Sequence, residues 1–101
     1  MGPPKVTDLP IYIVRSDDNV RAFIGIDPRN GCRLDVLHFQ TQSNGVPMTA
    51  LHDVCHGSVY DLTGSRIGGP SPWALDELVA TVRDGVVYVD RSSVTPGRVM
   101  R

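Results

Sequence analysis

The chain has 101 residues, enough for one domain with one modest core. Hydrophobic residues make up 41%, too many for a disordered chain, and a formal net charge of −1 gives no broad attraction to nucleic acid or an anionic membrane. No apolar run approaches the ~20 residues of a spanning helix, and no apolar stretch follows Met1-Gly2-Pro3-Pro4-Lys5, so neither a direct membrane span nor an export signal is expected.

Ten glycines and eight prolines punctuate short β-like runs. Pro10 to Val14 is β-branched and aromatic, and Ser16-Asp17-Asp18-Asn19 reads as a turn. Val20 to Ile26 is a second strand, stopped by Asp27-Pro28. Leu34 to Phe39 alternates, with Leu34, Val36 and His38 on one face. Gln40 to Asn44 is a polar loop, and Val46 to Leu51 and Ser58 to Asp61 are short strands. Trp73 to Leu78 has room for one helical turn at most. Leu78 to Arg83 and Val86 to Val89 flank Asp84-Gly85, a dipeptide that accepts positive φ at both positions and predicts a hairpin. No segment keeps a 3.6-residue apolar period, and no internal repeat is visible. The expected fold class is all-β: small antiparallel sheets in a sandwich or barrel. The expected organisation is a flexible N-terminus over 1–8, a domain over 9–91 and a C-terminal tail over 92–101.

Two loops carry both cysteines and two of the three histidines: Asp27-Pro28-Arg29-Asn30-Gly31-Cys32 and His52-Asp53-Val54-Cys55-His56-Gly57. A third, Gly68-Gly69-Pro70-Ser71-Pro72, is stiffened by two prolines. Such loops on a β scaffold are where sites are built. From the residues alone, Cys32 and Cys55 are open to three readings: a disulfide, metal ligands, or unrelated thiols. His38, His52 and His56 with the cysteines suggest a mononuclear zinc site, but four ligands at zinc spacing are not spelled out. Asp17-Asp18 and Asp76-Glu77 read as solvated turn charges.

The run Cys55-His56-Gly57-Ser58 with Tyr60-Asp61, together with Gly31-Cys32, Gly64, Gly69-Pro70-Ser71-Pro72 and the Asp84-Gly85 hairpin, resembles the Rieske iron–sulfur domain from about Phe23 to Val89. Within that family the chain is most similar to the cytochrome bc/bf (quinol–cytochrome c reductase) type. Rieske domains bind a [2Fe–2S] cluster through two Cys on one iron and two His on the other. The resemblance places the four ligand positions on Asp27, Arg29, Asp53 and His56, so only His56 matches. A guanidinium has no lone pair for iron, and carboxylates are hard where soft thiolates are wanted.

The resemblance therefore implies a domain that has lost its cluster, with no cofactor expected. A working [2Fe–2S] protein with unusual ligands is the alternative. The cluster-binding-like subdomain spans about 27–72. A Cys32–Cys55 disulfide would staple its loops, as the non-ligand cysteines do in that branch. Arg29 is expected between Asp27 and Asp53. His56 is expected to hydrogen-bond within its loop, with Asp53 as its partner, and Ser58 and Tyr60 are expected to tie the loops together. Gly69, Pro70, Pro72 and Trp73 form the implied docking loop. The implied role is a structural or docking subunit of an oxidoreductase complex, not a catalyst by itself, with protein subunits as partners. A cluster-free small subunit of a soluble reductase of nitrite-reductase type is a further alternative. Those contexts imply a place on a membrane complex or in the cytoplasm.

Overall fold

A computed structural model describes residues 9–16, 19–40 and 44–100. Eight strands form among them: β1 (Ile11–Ser16), β2 (Asn19–Ile24), β3 (Leu34–Gln40), β4 (Pro47–Asp53), β5 (Val59–Tyr60), β6 (Arg66–Gly68), β7 (Glu77–Arg83) and β8 (Val86–Thr95). They build two four-stranded antiparallel sheets, β1-β2-β7-β8 and β3-β4-β5-β6. The described residues contain no helix. The all-β expectation thus holds at the level of two small antiparallel sheets. The expected 16–19 turn and 40–44 loop lie partly, and the expected flexible 1–8 wholly, outside the described residues.

Strand alternation explains the core. Phe23 on β2 faces the second sheet and packs with Leu34, Leu51, Tyr60 and Leu75. Ala22 and Ile24, one position either side, turn the other way and meet Leu78. Tyr12 backs the first cluster, and its hydroxyl donates to the Leu34 carbonyl at 2.6 Å. This inter-sheet core stops at Leu34 and Leu51. Val36 and His38, expected to share the face of Leu34, are therefore exposed.

At the β7–β8 turn, Asp84 and Gly85 have φ of 52° and 77°, as a two-residue hairpin of this hand requires. Two boundaries differ from the sequence reading. Arg66–Gly68 forms a strand although its three residues carry no pattern. β8 runs on to Thr95 because a bulge absorbs its polar middle. Val79 pairs with Asp90, yet Leu78 pairs with Val94. Within the bulge, Ser92 donates to Asp90 Oδ1 through both its amide and its hydroxyl.

The expected 92–101 tail is thus corrected as far as the described residues go. Beyond β8, Ala74 donates to the Arg98 carbonyl and Met100 to the Pro72 carbonyl, at 2.8 and 2.7 Å. Trp73, in a stretch with room for at most one helical turn, pairs with Val99. Asp76 and Glu77 are likewise more than solvated charges. Asp76 accepts the Gly97 amide at 2.9 Å, and Glu77 grips Arg21 through two bonds of 2.8 and 3.0 Å.

Candidate functional site: two loops stapled by a disulfide

The two Cys-bearing loops leave their sheets with one shared backbone geometry. In the first, the Asp27 amide donates to the Cys32 carbonyl, the Gly31 amide to the Asp27 carbonyl, and the Arg29 amide to Asp27 Oδ1. In the second, the Asp53 amide donates to the Ser58 carbonyl, the Gly57 amide to the Asp53 carbonyl, and the Cys55 amide to Asp53 Oδ1. Each loop has Asp at its first position, to accept the amide two residues on, and Gly at its fifth, where φ is 78° in one and 89° in the other. The sequence reading saw no repeat. The repeated element is Asp-x-x-x-Gly, too short to register as one.

The disulfide joins the loops. Cys32 and Cys55 are bonded, with Cα atoms 6.4 Å apart, so two of the three readings of these cysteines fall away in this state. His38 contacts Thr49 on its own hairpin, at 3.1 Å, and takes no part in the loop site.

Asp27 and Asp53 are both fully buried. The group between them is Asn30, not Arg29. Asn30 Nδ2 lies 3.0 Å from Asp53 Oδ2, 3.4 Å from Asp27 Oδ2 and 2.7 Å from His56 Nδ1. Its Oδ1 accepts the Cys32 amide at 2.8 Å, which orients the side-chain amide. Arg29 is exposed, and its backbone amide rather than its guanidinium meets Asp27. Asn30 wins on geometry. It sits at the fourth position of its loop, as His56 does of the other, and that position faces the partner loop. Arg29 sits at the third.

His56 accordingly has Asn30 as its nearest partner, with Asp53 Oδ2 farther off at 3.5 Å. Asn30 can donate to Nδ1 only in the tautomer that carries its proton on Nε2. Burial pushes the Asp53 carboxyl up. Hydrogen bonds donated by the Asn30 side chain and by the Cys55 and His56 amides outweigh burial and hold it at about 2.

Ser58, expected to tie the two loops together, instead ties its own loop to the proline segment: its buried Oγ accepts the Ser71 amide at 2.9 Å. Gly69, with φ of 87°, packs so closely that a Cβ there would collide with the Ser58 Cα. Substitution of Gly69 by Ala is therefore expected to cost at least ~2 kcal/mol in denaturant unfolding.

Tyr60 departs from expectation. Its buried hydroxyl makes no well-formed hydrogen bond, although the Ser71, Asp27 and Ser58 side chains stand close enough to act on it. Burial drives the phenol up to about 12; the Ser71 hydroxyl opposes this and the Asp27 carboxylate adds to it. Tyr60→Phe is expected to leave stability unchanged or raise it by up to ~1 kcal/mol, because an unpaired buried hydroxyl contributes only its desolvation cost. A loss above ~1 kcal/mol by urea denaturation would mean the hydroxyl is bonded.

The outer rim of the site is open. Val54 is 61% exposed, Cys55 and His56 are exposed beside it, and Trp73, next to Pro72 in the chain, is 38% exposed. The donor set does not suit a [2Fe–2S] cluster. Both cysteines are spent on each other, the two aspartates offer hard oxygens where the cluster wants thiolates, and a guanidinium at Arg29 has no lone pair to give, leaving one imidazole where four suitable ligands are required. No family model, curated protein or solved structure matches this chain.

Proposed function

We propose that the chain is a cluster-free, Rieske-like docking module of an oxidoreductase assembly, presenting its stapled loop tip and proline loop to a protein subunit. One observation carries the reading. Three of the four positions that the resemblance assigns to iron ligands, Asp27, Asp53 and His56, meet at one point, and the fill there is Asn30 rather than metal ligands. A buried carboxylate pair knitted to backbone amides makes the tip rigid. A rigid tip with Val54 and Trp73 exposed has little entropy to lose on docking.

Affinity capture of the tagged chain from its native source tests this. The expected result is co-purification with subunits of a redox enzyme, and its loss for Val54→Asp with the melting temperature unchanged. A flavin- or haem-bearing soluble partner would place the module in a reductase, and a quinol-oxidising complex on a membrane. A brown isolated protein with iron near the ~2 per chain of a [2Fe–2S] centre would overturn the reading.

A further inference from the structure

We infer that reducing the Cys32–Cys55 bond converts the loop tip into a mononuclear site for Zn2+, with Cys32, Asp53, Cys55 and His56 as ligands. One donor atom from each residue already lies within 4.8 Å of the other three. A tetrahedral site with Zn–S of ~2.3 Å and Zn–N or Zn–O of ~2.0 Å has edges of ~3.3 Å between N and O, ~3.5 Å between S and N and ~3.8 Å between two sulfurs. His56 Nδ1 stands 3.5 Å from Asp53 Oδ2 and 3.9 Å from Cys32 Sγ. Two edges are thus nearly formed. The sulfur–sulfur edge opens when the bond breaks, since two free thiols move apart to about that distance.

A second observation points the same way. Asn30 Nδ2 already sits where lone pairs of Asp53 Oδ2 and His56 Nδ1 converge, so these acceptors face one positive centre. In the tautomer that carries its proton on Nε2, His56 offers Nδ1 as a ligand. A cation would displace the Asn30 amide. Two thiolates and a carboxylate bring three negative charges and soft sulfur, which favours Zn2+ over Mg2+ or Ca2+.

The step requires an external dithiol, and Cys55 is exposed to one. The dithiol passes two electrons and two protons to the Cys32–Cys55 bond, becoming a disulfide itself and leaving two thiols. Zn2+ then displaces both thiol protons. The inference does not rest on the docking reading, because binding is measured on the isolated chain.

Titration of Zn2+, and of Co2+ as a spectroscopic probe, into oxidised and reduced full-length chain tests it. The expected result is one ion per reduced chain, tetrahedral Co2+ bands with thiolate charge transfer, and affinity at least ~100-fold weaker for the oxidised chain. His56→Ala should weaken binding by ~100-fold or more, since even the loss of groups behind the ligands costs about 10- to 100-fold. Asn30→Ala should tighten it by freeing Asp53 and His56. Equal binding in both redox states, an octahedral Co2+ spectrum, or no effect of His56→Ala would overturn the site. So would a reduced chain that unfolds and is not refolded by Zn2+, with folding read by circular dichroism.

Discussion

The Cys32→Ser/Cys55→Ser double variant is expected to melt roughly 10–25 °C below the parent chain in non-reducing buffer. The bond links residues 23 apart, and constraining a loop of that length in the unfolded chain is worth about 3 kcal/mol. Each kcal/mol moves the midpoint of a domain this size by about 4–8 °C. The effect is large here because the domain is small and its buried apolar side chains are few. Adding reductant to the parent should reproduce the loss, and reductant should leave the double variant unmoved. A shift below about 3 °C would show that the loops hold each other without the bond, through Asn30 and the two aspartates.

Asp53→Ala is expected to cost about 3 kcal/mol in denaturant unfolding, although it removes a buried charged group. It removes the buried acceptor of the Cys55 and His56 amides and of the Asn30 side chain. The same bonds create a pH dependence. The folded-state pKa, about 2, lies below the ordinary 3.8, so the native state holds the charged form more strongly than the unfolded state does. The resulting stabilisation is fully present above 3.8 and is lost as pH falls from there through about 2. It amounts to about 2 kcal/mol. The stability difference between parent and Asp53→Asn should therefore be flat above pH 5 and shrink below pH 4. A difference that stays constant down to pH 2 would assign the stabilisation to shape rather than charge.

How much could be read in advance follows the physics of each element. The Asp84-Gly85 hairpin was legible because a two-residue turn with two positive φ angles demands those residues. The strands carrying Phe23 and Leu51 were legible as short runs bounded by turn residues, and alternation named the one carrying Leu34. It failed at Arg66–Gly68, where three residues are too few to alternate, and past Asp90, where a bulge interrupts the pattern before Val94 rejoins the ladder. It failed again at Val36 and His38, because alternation tells which face a residue takes and not how far the opposing sheet reaches. In the site, Arg29 looked like the natural partner of two carboxylates by charge, and Asn30 was passed over. The signal was present: Asn30 stands three residues after Asp27 as His56 stands three after Asp53, and both Asp-x-x-x-Gly loops turn that position toward each other.

By itself the sequence determined the local chemistry: an all-β chain, its clearest hairpin, and two Gly-terminated loops carrying the cysteines, because turn preferences and side-chain alternation act over a few residues. Only the tertiary structure decided what those loops do to each other. The Cys32–Cys55 bond, the Asn30 amide between Asp27, Asp53 and His56, and the orphaned Tyr60 hydroxyl each depend on distances across the two sheets. Such distances follow from how the sheets pack around Phe23, Leu51 and Tyr60, and residue spacing along the chain does not encode them.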